Sequence, residues 1–375
     1  MKRVLATAVA LIMALVGCQP KEPRRIYVFS GFNPVKVVED DPVAVEAGKF
    51  FDSYQHDVED DASNSYKDFV REYNSFAAKV RPSIALPTAS AELDRDAALD
   101  ANAKLNAYLA PKGWLFRIAD AYASDLSGEP MIIRMLMMGK LHSVRHGKLT
   151  DVRGTTVSYT ESIVAYAKQT RAREKTFRFT AFTEGREIYH FLDGLEWSAR
   201  RVIDDCRDGA ADGAEFSQLE WADYLKDGTT PQFEARVMGD LLRSASAHER
   251  QHVVDHEFGE LRLTKDDAAI MKVKFLMETR GLLAQIASGD LEIYGLGHAA
   301  EWQESSERLN SLAGWAVMQA IGQLPKDPAI RNWLRRKASA ELKTSDLLVL
   351  SSLRHKADPD PVGRAKEEYQ YQRGR

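Results

Sequence analysis

Met238-Gly-Asp-Leu-Leu-Arg-Ser-Ala-Ser-Ala-His248-Glu-Arg-Gln-His252-Val-Val-Asp-His-Glu-Phe258 is the stretch on which the reading of this chain turns. It holds no proline, and Gly239 is its one glycine, so an uninterrupted helix is expected over residues 232–257. On a helix, His248 and His252 stand one turn apart on the same face, about 6 Å along the axis. Two imidazoles at that spacing can grip one metal ion, and zinc favours nitrogen donors in tetrahedral geometry. Glu249, one step round the helix, is placed to take a proton from a metal-bound water. The HExxH pattern is short, but three of the chain's nine histidines fall within residues 248–256.

A zinc that does chemistry needs a third protein ligand and an open position. His256 does not qualify, because eight residues of helix put it about 12 Å from His248 along the axis. Glu278, in Phe275-Leu-Met-Glu-Thr-Arg-Gly-Leu-Leu-Ala-Gln-Ile286, is the better candidate. A turn over Gly259–Lys265 would send a second helix, 264–288, back beside the first and carry Glu278 to the histidines. Asp290 and Glu292 are weaker candidates. In this arrangement residues 248–286 resemble the gluzincin metallopeptidases, in which a downstream helix gives a glutamate ligand. The resemblance implies His248, His252 and Glu278 as ligands of one zinc ion, Glu249 as general base, and hydrolysis of a peptide or protein substrate. Asp255 stands where the metzincin pattern has glycine. It is a candidate to orient a liganding histidine. An oxyanion-stabilising group would complete the site, with His190, Tyr189, Tyr294 and His298 as possibilities.

Two other readings stay open. Glu249-Arg-Gln-His252 is also an ExxH motif, and Glu187-Ile-Tyr-His190 is another. Ferritin-like di-iron proteins use two such motifs with one further glutamate from each of two helices. Glu161 and Glu220 precede the two motifs at distances that suit paired helices. That set, Glu161, Glu187, His190, Glu220, Glu249 and His252, would make an oxygen-handling or metal-oxidising protein. In the third reading the chain is a non-enzymatic envelope lipoprotein and the histidine-rich helix is scaffold.

The rest of the chain reads as mainly α, with minor β content. Helices are expected near 64–80, 90–109, 114–126, 130–142, 158–172, 181–206, 298–323, 328–340 and 343–355. Residues 25–30 look like a strand, and 145–157 like a short hairpin. The expected fold is therefore a multi-helix domain with the HExxH helix packed on a downstream Glu-bearing helix. Residues 25–150 form an N-terminal helical region, 151–357 the metallopeptidase-like domain, and 358–375 a polar tail.

The chain has 375 residues, 44% apolar and 28% charged, which is ordinary globular usage with enough length for a substantial core. A net charge of −4 gives no field that would favour nucleic acid. Lys2 and Arg3 precede a short apolar run, Val4–Val16, too brief to span a bilayer, so residues 1–17 read as a signal peptide. The run ends Leu15-Val16-Gly17-Cys18, which resembles the lipobox of bacterial lipoproteins. The resemblance implies an acylated Cys18, a polar tether over 18–24 and a lipid bilayer as partner. Gln19 after the cysteine points to the outer membrane of the cell envelope, facing the periplasm. With Cys18 acylated, Cys206 has no intrachain partner. Two carboxylates beside it argue against a reactive thiol.

Overall fold

The computed structural model describes residues 28–60, 66–88, 95–124, 130–150, 155–170, 181–208, 231–258, 267–288, 295, 298–299, 308–321 and 332–343. Cys18, the tether, the tail and Glu220, Asp290, Glu292 and Tyr294 lie outside the described residues, as does the turn over 259–265. The chain divides into a unit ending at Phe32 and a second one from Asn33 onward. In the first, residues 28–30 are not strand.

After a two-residue strand at Asn33–Pro34, the second unit has three helices: α1 (Pro42–Asp60), α2 (Tyr66–Val80) and α3 (Arg95–Leu109). Asp41 starts α1. Its Oδ1 accepts hydrogen bonds from the amides of Val43 and Ala44 at 3.0 and 3.1 Å, and Pro42 takes the first helical position, where no amide is needed. The side chains these helices bury are largely aromatic. Phe50 stacks on Phe76 at 5.3 Å and meets Tyr73 edge-on at 5.8 Å, with Phe69 and Phe116 around them. Each such ring contributes about 1.5–3 kcal/mol through burial.

Six strands form one sheet: β1 (Asn33–Pro34), β2 (Trp114–Ser124), β3 (Pro130–Thr150), β4 (Thr156–Thr170), β5 (Ala181–Glu184) and β6 (Glu187–Phe191). The sheet order is β1-β3-β4-β6-β5, with β2 on β3 as well. All pairs are antiparallel except β4 with β6. Gly185, at φ 57°, turns β5 into β6, a backbone angle that favours glycine in tight hairpins. The register of β4 and β6 puts Glu161, Ile163, Ile188 and His190 on one face, and Val164, Glu187, Tyr189 and Phe191 on the other.

The outer edge of β2 is covered from the side by α3. Asn102 donates to the carbonyl of Ile118 at 2.7 Å and accepts from its amide at 2.9 Å. Asn106 makes the same pair of bonds to Phe116, at 2.8 and 2.9 Å. One helical turn separates the two asparagines, and two residues separate their strand partners, so each carboxamide stands where a neighbouring strand's peptide would.

After β6 the described residues fall in helices: α4 (Leu192–Asp208), α5 (Pro231–Phe258), α6 (Asp267–Ala287), α7 (Arg308–Ile321) and α8 (332–343). Leu282, Leu283 and Ile286 of α6 pack with Val317 and Ile321 of α7 and Leu334 and Ala338 of α8. On the sheet side, Val253 of α5 packs on Tyr159 and Ile188. Among the described residues no helix is long and apolar enough to cross a membrane.

Helix outweighs strand among the described residues, but the sheet is a full layer rather than a minor addition, so the fold is mixed. The helices expected at 114–126, 130–142 and 158–172 are β2, β3 and β4. The one expected at 181–206 begins as the β5–β6 hairpin before α4. β4 carries its own period-2 signal, since Val157, Tyr159, Glu161 and Ile163 are all buried. In β3 the near-continuous run from Met131 to Met138 has no period to read, and shifts in register at Met138/Lys140 and Leu141/Ser143 break what alternation exists. β3 and β4 pair directly across position 150, so one sheet draws on residues either side of it.

Candidate metal centre

α5 and α6 lie side by side, and the contacts between them form a ladder with rungs near one-turn spacing. Gln285 donates from Nε2 to Ser244 Oγ at 2.9 Å. One turn on, His248 meets Glu278, with Nε2 and Oε2 3.2 Å apart. After another turn, His252 Nε2 lies 3.5 Å from the same carboxylate oxygen. Beyond that, Arg280 pairs with buried Asp255 at 2.8 Å. The three residues expected as ligands thus converge: one donor atom from each of His248, His252 and Glu278 falls within 4.8 Å of the others. The imidazoles sit 4.7 Å apart, nearly perpendicular. His256 is not part of the group.

The donor set fits a zinc ion on chemical grounds. Bond lengths of about 2.0–2.1 Å in a tetrahedron separate neighbouring ligand atoms by roughly 3.3 Å, close to the 3.2 and 3.5 Å between the two nitrogens and the shared oxygen. Both histidines are buried, while Glu278 keeps 29% of its side-chain surface exposed, so the cluster is reached from one side. Burial opposes charge on His252, but the carboxylate of Glu278, with help from Glu249 and Asp255, outweighs it and raises its pKa to about 9. Burial likewise works against the charge of Glu278, and the two histidines more than offset it, holding the carboxyl well below its usual range.

Room for His248 comes from α6. Gly281 lies one turn after Glu278, and a Cβ placed there would come within 2.6 Å of His248 Nε2 and 2.7 Å of Cε1. The glycine is what lets the imidazole lie flat against the second helix.

Glu249 is buried on the side of α5 that meets the sheet edge. Thr183 of β5 reaches it: Oγ1 lies 2.7 Å from Glu249 Oε2 and 3.1 Å from the Glu249 carbonyl. Among the described residues, β5 pairs only with β6, which leaves its other edge without a strand next to Glu249.

On the sheet-facing side of α5, Glu161 gathers the remaining charge. It accepts from His190 Nε2 at 2.8 Å and from Arg250 at 3.1 Å, and also from Arg145 and from the hydroxyl of Ser246. Burial alone would raise this carboxyl, but His190 and Arg250 overcome it and Glu161 ends far below its ordinary value. Ser246 and Arg250 flank His248 in sequence, so the network fixes the turn that bears the histidine.

These contacts do not assemble the di-iron set. Glu161 is on β4, and Glu187 and His190 are on β6, where residues three apart point to opposite faces. Glu187 lies towards buried Arg117, while His190 lies towards Glu161. An ExxH motif grips metal on a helix, and this one is on a strand. Of the other candidates, Tyr189 packs beside Arg117 on the far face. His298 lies 3.4 Å from Gln285. Asp255 sits beside His252, with Gln251 and Arg280 as its hydrogen-bonding partners.

The sequence pattern pointed to the three residues that converge, His248, His252 and Glu278, but not to the contacts that Thr183, Gly281 and Glu161 make with α5. A lone glycine three residues after a ligand candidate was a readable sign of close approach. Thr183 and Glu161 had no local sign, because they reach α5 only through the sheet. No family model, no curated protein and no solved structure matches this chain.

Proposed function

We propose that this protein is a zinc-dependent hydrolase acting on peptide bonds, tethered to the cell envelope through a lipid on Cys18. The observation that carries the reading is the convergence of His248, His252 and Glu278, with buried Glu249 near enough to act electrostatically on His252. His248, His252 and Glu278 would hold the ion, which supplies Lewis acidity and lowers the pKa of water. Glu249 accepts a proton from the attacking water and passes it to the departing amine, so one carboxyl serves as base and then as acid. The low exposure of both histidines and of Glu249 limits bulk water and strengthens these charge interactions.

The open edge of β5 favours an extended substrate. A peptide pairing with Ala181–Glu184 by strand addition would run past Glu249, with affinity from main-chain hydrogen bonds. On the opposite edge of the sheet, Asn102 and Asn106 already occupy the backbone groups of Ile118 and Phe116.

Metal analysis of the purified protein after zinc loading is expected to give about one zinc per chain. Glu249→Gln is expected to retain that zinc while losing hydrolysis of fluorescein-labelled casein. Two irons per chain, or no retained metal, would overturn the reading, and an active E249Q protein would remove Glu249 from its role.

A further inference from the structure

Thr183 lies in a short strand whose neighbours are held on the opposite face. Phe182 stacks on Tyr189 at 5.0 Å and on Phe191 at 5.8 Å. Glu184 pairs with buried Arg117, whose guanidinium lies 5.0 Å from the rings of both Phe182 and Tyr189. Alternation then turns Thr183 towards α5. The hydroxyl has one proton to donate, and its nearest acceptor is Glu249 Oε2 at 2.7 Å, with the carbonyl of the same residue at 3.1 Å. A β-branched side chain on a paired strand has little rotamer freedom, so the donor is fixed before any substrate arrives.

We infer that Thr183 is a positioning residue for Glu249: its hydroxyl ties down Oε2 and so aims Oε1 as the oxygen that exchanges protons with water. The inference rests on the hydrolase reading for its catalytic meaning, but the hydrogen bond itself does not. A glutamate has three side-chain torsions, and a misplaced proton acceptor loses rate steeply even when binding is intact. Thr183 also lies in the strand proposed to pair with substrate, so whatever seats a peptide on β5 acts on the strand that orients the base.

Thr183→Val keeps the shape and strand propensity and removes only the hydroxyl, and Thr183→Ser restores a hydroxyl without the methyl. With zinc-loaded protein and labelled casein, T183V is expected to lower kcat about 10- to 100-fold. KM and zinc affinity are expected to stay within about twofold of wild type. T183S is expected to recover most of the rate. A T183V protein as active as wild type, or a T183S protein as impaired as T183V, would overturn the inference.

A second measurement uses metal-free protein and no substrate. The drop in Tm caused by T183V is compared in the wild-type and Glu249→Ala backgrounds. It is expected to shrink by at least about half when the carboxylate is gone, the remainder reflecting the bond to the Glu249 carbonyl. An equal drop in both backgrounds would overturn the role of Thr183 whatever the activity results. If the two drops differ but zinc-loaded wild type cleaves no casein, the hydrolase reading fails and the positioning contact stands.

Discussion

Gly281 shows how much one missing methyl group can decide. A glycine inside a helix costs about 1 kcal/mol relative to alanine, and α6 bears that cost where His248 Nε2 would stand 2.6 Å from a Cβ. The obstructed atoms are the end of a side chain, so the ring rather than the helix would yield. Gly281→Ala is therefore expected to keep its circular dichroism but lose zinc affinity by at least about tenfold, measured by isothermal titration. In a His248→Ala background the same substitution is expected to raise Tm, because only the gain in helix propensity remains. Glu161 acts in the other direction, as a charge that stabilises. Burial alone would raise its pKa, but His190, Arg250 and the Ser246 hydroxyl depress it below the ordinary 4.5. Its contribution is thus complete above pH 4.5 and is lost progressively below that value, where the unfolded chain takes up a proton that the folded carboxylate does not, until the folded carboxylate is protonated in turn. Glu161→Gln removes the carboxylate that Arg145 and Arg250 share and is expected to destabilise the fold at pH 7. Its stability should also fall less steeply than that of wild type between about pH 5 and pH 3 in urea titrations at each pH. Glu278 contributes in the same sense in both proteins, so the difference between the curves isolates Glu161.

Between elements, the most telling contact is the cover that α3 places over β2. Each of Asn102 and Asn106 satisfies one amide and one carbonyl that an edge strand would otherwise present to other chains. Substituting both by alanine leaves four backbone groups without partners, at about 1–3 kcal/mol for each one that stays buried. The double variant is expected to melt earlier and to scatter light on heating at concentrations where wild type stays clear. The α5–α6 pair was readable because both helices are long and hold no proline beyond the first position of α5. HExxH and Glu278 also fall at the spacing that an antiparallel return requires. The strands were harder. β2 and β3 are rich in methionine, alanine and leucine, residues equally at home in a helix, and their strand state follows from pairing with partners remote in sequence.

For the molecule as a whole, a ligand that binds the folded chain and not the unfolded one adds its binding energy to stability. Zinc at about a thousand times its dissociation constant is worth about 4 kcal/mol. In a chain of this size that raises Tm by roughly 5 °C. Scanning calorimetry is expected to show that rise on zinc addition, its reversal by a chelator, and no rise in His252→Ala. The sequence alone determined the helix that bears His248, Glu249 and His252, because an i,i+4 pair on a proline-free stretch has only one regular geometry to adopt. It determined the return of Glu278 as well, since two long helices and a short connection can bury their faces only side by side. The sheet, the hydroxyl that Thr183 brings to Glu249, and the carboxylate that Glu161 brings behind the same helix were decided only in three dimensions. Those contacts join residues 66 and 89 positions apart, and no local pattern encodes a meeting that depends on how strands from different parts of the chain come into register.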